Sequence, residues 1–271
     1  MKDFFYIIIL FPTILSAQKI TAHRGASHDA PENTMAAFNL AWQQKSDFVE
    51  GDFYLTKDGQ VVCFHDGNTG KIADQKLSVE KSTWQTLKQL DVGSKKGKKW
   101  QGTRMPLLDD LLKSLPPDKG VFIEIKSANL KIVPRIKSII DASKVDRDKL
   151  HIISFKQAIL KKCKEIMPDI KAQWLVSLKL KNGKLNYDTD KIIQVLKSLK
   201  IEGVGTNCNF AVINKSNVTK LQSAGFYWNV WTINKVNDAI SLKKIGVDFI
   251  TTDRPLYIRQ NSLENQLIPK K

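Results

Sequence analysis

Seven residues in the first half of the chain could carry acid–base, metal and anion chemistry, and all stand at or near the ends of apolar runs. His23 and Arg24 close Lys19-Ile20-Thr21-Ala22. Glu50 and Asp52 sit inside Phe48-Val49-Glu50-Gly51-Asp52-Phe53-Tyr54-Leu55. His65 ends Val61-Val62-Cys63-Phe64, and Glu124 and Lys126 end Val121-Phe122-Ile123. On a strand, residues two apart share a face, so Glu50 and Asp52 point the same way. Two such carboxylates repel unless a cation lies between them. Oxygen donors favour Mg²⁺ or Ca²⁺, and Glu124 would be a third ligand. Lys126 shares a face with Glu124 and offers a cation for phosphate, and Arg24 offers a planar two-pronged one. His23 and His65 could serve a phosphoryl group as general base and general acid near neutral pH. Each feature also has a plainer reading: solvated carboxylates, a strand ion pair, hydrogen-bonded structural histidines. His28, in a loop, and His151, leading a strand, take that plainer reading. Trp231, in Val230-Trp231-Thr232-Ile233-Asn234, stands at a late strand end where it could face an alcohol.

These side chains need strands to aim them, and the sequence alternates strand and helix patterns. Asn33-Thr34 can cap a helix running to about Gln44. Thr56-Lys57-Asp58-Gly59 reads as a tight turn between a second and a third strand. Residues 67–104 form a polar, Gly- and Lys-rich excursion suited to a lid or substrate wall, whose Trp84, Leu87, Leu90 and Trp100 could line an apolar groove. A helix is expected from Met105, then strands at Val121–Lys126, Leu150–Ser154, Ala172–Ser177, near Val204, Tyr227–Thr232 and Asp248–Thr252, with helices between them. Asp253-Arg254-Pro255 reads as the stop of the last strand, followed by a basic tail after Tyr257. This order predicts an α/β fold with a parallel sheet, organised as one barrel-like domain over 18–271. Nine candidate strands are one more than an eight-stranded barrel needs. The weakest is the run at Val204, and the pair flanking Asp58-Gly59 lacks a helix.

The chain has 271 residues and a formal net charge of +16, a field that favours anionic partners such as phosphate esters or acidic lipid headgroups. Basic and acidic residues are interleaved and no nucleic-acid module is evident, so nucleic acid is not an expected partner. Loose association with an anionic membrane surface is an expectation from charge. Cys63, Cys163 and Cys208 are widely spaced, with neither zinc-site spacing nor a disulfide framework. Residues 1–17, with Lys2, the run Phe4–Leu15 and Leu15-Ser16-Ala17, read as an export signal cleaved near Ala17. The run is shorter than the roughly 20 apolar residues of a membrane span. A periplasmic or secreted protein is therefore expected.

At these residues the sequence resembles the glycerophosphodiester phosphodiesterase family, which folds as a TIM barrel. The likeness runs in family order from about Ile20 to Pro255: AHRGAS and APENTMAAF at 22–38, EGDFYLTKDGQVVCFHD at 50–66, MPLLDDLL at 105–112, IEIK at 123–126, VWTIN at 230–234 and GVDFITTDRP at 246–255. The resemblance implies a TIM-type (β/α)8 barrel with a small insertion, 67–104, after the third strand and over the barrel mouth. It further implies His23 and His65 as the catalytic acid/base pair, Glu50, Asp52 and Glu124 as ligands of a divalent cation, Ca²⁺ or Mg²⁺, and Arg24 and Lys126 as phosphate contacts. Gly51 stands where the family often has Leu, which would loosen the strand between the two carboxylates. Gly67–Ile72 departs from the family's usual continuation after His65-Asp66.

The leading expectation is metal-dependent hydrolysis of glycerophosphodiesters to glycerol 3-phosphate and an alcohol, with Trp231 contacting substrate. A lysophospholipase D-like reaction on lipid-linked diesters is the second reading. A catalytically silent phosphate-ester-binding barrel is the third.

Overall fold

Eight of the nine apolar runs become parallel strands that close on themselves, and one is diverted. The computed structural model describes residues 18–181 and 184–264, so the expected export signal at 1–17 lies outside the described residues. The strands are β1 (Lys19–Ala22), β2 (Phe48–Leu55), β3 (Val61–Cys63), β4 (Gly120–Ile125), β5 (Leu150–Ser154) and β6 (Lys171–Val176). A short ribbon, β7 (Leu180–Lys181) and β8 (Lys184–Leu185), precedes β9 (Gly203–Asn207), β10 (Tyr227–Trp231) and β11 (Phe249–Thr252). Parallel pairing runs β1-β2-β4-β5-β6-β9-β10-β11 and returns to β1, which is a closed TIM-type barrel. Its outer helices are α1 (Met35–Gln43), then, beyond a short helix α2 (Trp84–Leu87), α3 (Leu108–Lys113), α4 (Ile132–Ser143), α5 (Gln157–Ile166), α6 (Thr189–Leu199), α7 (Lys215–Ser223), α8 (Val236–Ile245) and α9 (Pro255–Ile258). No described helix is long and apolar enough to cross a membrane.

Period-two alternation divides each strand between two environments. Outward residues such as Ile20, Val49, Ile123, Ile152, Val204, Val230 and Ile250 are buried with Phe38, Ile136, Leu160, Leu196, Leu221 and Leu242 of the helices, forming the main core. Each such side chain contributes about 1.5–3 kcal/mol on full burial. Inward residues near the strand starts, Phe48, Phe122, His151, Tyr227 and Phe249, pack ring to ring with centroids 4.6–5.8 Å apart. They plug that end of the barrel, leaving the strands' carboxyl ends as the open mouth.

The supernumerary strand is Val61–Cys63, not the run at Val204. β2 pairs with β1 only through Phe48 and Val49, while Phe53–Leu55 turn away to pair antiparallel with β3. Gly59, at φ +80°, makes the tight turn its Asp58-Gly59 sequence predicts. Gly51 does not loosen β2: it stays in register with Ile123, and a Cβ there would come within 3.1 Å of Phe38 and 3.3 Å of Cys63. The excursion after β3 has its own small core of Val62, Phe64, Ala73, Val79, Leu87, Leu90, Val92 and Met105. Leu87 and Leu90 are thus interior and do not line a groove. The excursion is tied to the barrel mouth where Lys96 Nζ donates to the Ser27 carbonyl at 2.7 Å and Ser127 Oγ donates to Glu80.

Two expected boundaries shift, and one element was not expected. The helix begins at Leu108, because the Pro106 carbonyl accepts from the Cys63 N–H at 2.9 Å and the Leu107 N–H donates to Asp110. The described part of the tail after Tyr257 continues as helix, with Ile258 buried and Arg259 paired to Asp47 at 2.7 Å. The β7–β8 ribbon has no counterpart in the sequence reading, although its Asn182-Gly183 is a strong hairpin signal.

Candidate active site

His23 prolongs β1, its N–H donating to the Thr252 carbonyl at 2.8 Å, and its imidazole lines a cavity at the barrel mouth. Nδ1 lies 2.6 Å from Asp253 Oδ1. A carboxylate accepts only, so Nδ1 is the donor, and the other ring nitrogen of the neutral ring is an acceptor. Asp253 also accepts from Ser27 Oγ at 2.9 Å and Asn234 Nδ2 at 2.6 Å. Burial opposes its ionisation, yet these bonds, led by that from His23, hold its carboxyl well below the usual range. Asp253 therefore does more than stop a strand.

The next residue, Arg24, takes the left-handed φ of +54°, unusual for a side chain with a Cβ. That turn aims its N–H at Glu50 Oε2, 2.9 Å away, and leaves the guanidinium 2.9 Å from Glu32 and 3.3 Å from Asp52. Asn33, at φ +57°, donates from Nδ2 to Asp52 Oδ2 at 2.8 Å, and its Oδ1 accepts from the Asp52 N–H at 3.0 Å and from Cys63 Sγ at 3.1 Å. Thr34 alone caps α1, accepting from the Ala37 N–H. The Asn-Thr pair thus divides its labour: Thr34 starts the helix and Asn33 holds an acidic side chain of β2.

Glu50, Asp52 and Glu124 are all buried, and one carboxylate oxygen from each lies within 4.8 Å of the others. Burial, then Asp52 and Glu124, pushes Glu50 well above its ordinary range. Burial and Asp52 push Glu124 up to about 7 against the pull of Lys126, whose Nζ lies 2.8 Å from Glu124 and 3.5 Å from Asp52. Burial would raise Asp52 as well, but Lys126 and Arg24 bring it below its ordinary value. Glu50 Oε1 is buried with no hydrogen-bond partner. An orphaned buried oxygen beside two further acidic side chains suits a hard divalent cation. The trio could hold one.

His65 arrives by the diverted strand. The Phe64 N–H donates to the Asp52 carbonyl at 2.8 Å, setting His65 at the mouth, and its Nδ1 meets Asp66 at 2.7 Å. Burial lowers the His65 pKa, and Arg24 and Lys126 add to that against the pull of Asp52. A cavity of about 170 Å³ is lined by His23, Arg24, Glu50, His65, Glu124 and Lys126 on one side and by Ile153, Phe155, Leu175 and Trp231 on the other. Trp231 meets Phe155 edge-on with centroids 5.8 Å apart. All eight side chains singled out in the sequence stand at this mouth, seven lining the cavity and Asp52 just beneath. His28 is exposed beside Asp29, and His151 is in the aromatic plug.

The model described as the glycerophosphoryl diester phosphodiesterase family matches residues 23–257. A glycerophosphodiester phosphodiesterase of Caldanaerobacter subterraneus subsp. tengcongensis is 31% identical over 240 residues, covering 87% of this chain and 94% of that protein. A human lysophospholipase D is 25% identical over 269 residues, covering 89% and 86%. The structure of an Oleispira antarctica phosphodiesterase in complex with the product sn-glycerol-3-phosphate is similar at TM-score 0.80 and 27% identity, covering 90% of this chain and 96% of that one.

Proposed function

The chain belongs to the glycerophosphoryl diester phosphodiesterase family, and on that premise we propose that it hydrolyses glycerophosphodiesters to glycerol 3-phosphate and an alcohol, with His23 and His65 exchanging protons. One observation carries this reading: two carboxylate-anchored imidazoles border the same small cavity as a buried acidic trio flanked by Arg24 and Lys126.

Glu50, Asp52 and Glu124 would hold Ca²⁺ or Mg²⁺, which supplies Lewis-acid polarisation of a phosphate oxygen. Arg24 and Lys126 orient the diester and offset its negative charge. His65, kept neutral by burial, takes the proton of the attacking oxygen, from water or from the adjacent glycerol hydroxyl. As the bond from phosphorus to the departing alcohol oxygen breaks, His23 gives a proton to that oxygen, its ring oriented by the bond from Nδ1 to Asp253. Where the glycerol hydroxyl attacks, water then opens the cyclic phosphate with the histidines' roles reversed. Trp231, with Ile153 and Leu175, forms an apolar wall for the part of the substrate away from the phosphate.

A lipid-linked diester is the second reading. Phe155, 44% exposed and edge-on to Trp231, extends that wall to the surface, where an acyl chain could lie. Residues 1–17 support export, which the mass of the mature N-terminus would test.

The deciding assay measures glycerol 3-phosphate release from glycerophosphoethanolamine and glycerophosphocholine, and lysophosphatidic acid release from lysophosphatidylcholine, with Mg²⁺, Ca²⁺ or EDTA, beside His23→Ala and Glu50→Ala. Cation-dependent release lost in both variants is the expected result. Release that survives EDTA, or either substitution, refutes the mechanism.

A further inference from the structure

Among the described residues five large apolar side chains are exposed: Leu130, Phe155, Leu180, Phe210 and Tyr257. Every one lies just beyond the carboxyl end of a barrel strand. Leu130 is in the β4–α4 connection, Phe155 between β5 and α5, Leu180 in the ribbon after β6, Phe210 between β9 and α7, and Tyr257 in the first turn after β11. Among the described residues, helices α1–α8 and the opposite end of the barrel carry none. Exposed apolar residues scattered singly are ordinary, but confinement to one end of a molecule is not.

Charge accompanies them. Lys131 follows Leu130, Lys156 follows Phe155, and the Arg254 guanidinium lies 4.5 Å from the centre of the Tyr257 ring. The ribbon reads Lys179-Leu180-Lys181-Asn182-Gly183-Lys184-Leu185, with three lysines and no acidic residue, and Leu180 at its edge is 66% exposed. Protein–protein interface cores are depleted of lysine, whereas apolar side chains interleaved with lysines suit the boundary of an anionic bilayer. We propose that this rim docks the barrel mouth onto an anionic lipid surface, so that the cavity faces the membrane. The docking follows from the position and charge of these residues; its consequence, preference for diesters held in a bilayer, rests on the phosphodiesterase reading.

The test uses the full chain with Cys208→Ser, since Cys63 and Cys163 are buried, and an environment-sensitive fluorophore at Leu180→Cys or at Lys144→Cys in the α4–β5 connection at the far end. Vesicles are phosphatidylcholine alone or with about 30% phosphatidylglycerol. The expected result is a blue shift at position 180 only, only with phosphatidylglycerol, and weakening as salt rises. Attachment through residues 1–17 would give no such contrast. The unlabelled variant Leu130→Ser/Leu180→Ser/Phe210→Ser should bind anionic vesicles about tenfold more weakly while hydrolysing soluble glycerophosphocholine as the parent does. No shift at 180, equal shifts at both positions, or undiminished binding by the triple variant overturns the proposal. Failure of the parent to hydrolyse glycerophosphocholine would instead count against the phosphodiesterase reading, and the fluorescence contrast would still decide the docking.

Discussion

Replacing Asp253 by Asn should disable His23 while leaving the fold and the acidic trio intact. The outcome is set by Asn234. Its Oδ1 accepts from the Asp253 N–H and from Thr252 Oγ1, both at 3.0 Å, so its NH₂ is fixed toward residue 253. An Asn there must turn its amide oxygen to that NH₂ and its own NH₂ to His23 Nδ1. Nδ1 then becomes an acceptor, the proton moves to Nε2, and the ring loses the carboxylate that orients it. A hydrogen bond to a charged group contributes about 1.5–3 kcal/mol, or roughly 10- to 150-fold. Inverting the tautomer of a carboxylate-held catalytic histidine has cost about 10⁴ in kcat in a serine protease triad. We expect kcat to fall about 10²- to 10⁴-fold with KM within about threefold, since Arg24, Lys126 and the trio are untouched. Steady-state kinetics on glycerophosphocholine at several pH values would measure this. Adding Asn234→Ala should restore part of kcat by freeing the new amide to flip. A single variant keeping kcat within about threefold of the parent would refute the reasoning.

Other substitutions test the site from different sides. Asn33→Ala removes the clamp on Asp52, and the cation concentration for half-maximal activity should rise about 10- to 100-fold, read by titration of the metal-stripped protein. Glu50→Gln should abolish cation-stimulated hydrolysis yet leave the midpoint of thermal unfolding in EDTA unchanged or higher, because the native carboxyl is buried against two others; a large drop in that midpoint would mean Glu50 is chiefly structural. His151 bears on stability alone. Burial brings its pKa to about 3, so its contribution is fully present above about pH 6.5 and fades as pH falls toward 3, with about 2 kcal/mol gone by pH 5. Urea unfolding at pH 7 and pH 5 should show that loss in the parent but not in His151→Phe, and equal losses in both would count against it.

The polar site was legible because its members announce themselves locally: carboxylates two apart on a strand and histidines at the ends of apolar runs need no long-range information. The residues that hold them in place did not. Asn33 acts 19 positions away on Asp52, and Asp253 acts 230 positions away on His23, so only closure of the barrel reveals either. The doubt over the Val204 strand has a physical origin too. Gly203 and Gly205 look like strand breakers, but a Cβ at either would strike Tyr227 at 2.4 Å or Leu175 at 2.6 Å, so glycine is what the filled barrel interior allows. Conversely, the Asp58-Gly59 pair, the one break in strand–helix alternation, was plain in the sequence while its purpose was not. A helix in that place would have carried the chain down the outside of the barrel. A hairpin returns it to the mouth, where the Phe64 N–H meets the Asp52 carbonyl and His65 enters the cavity beside Lys126. The departure from the regular barrel is therefore the feature that brings the second histidine within reach of the first.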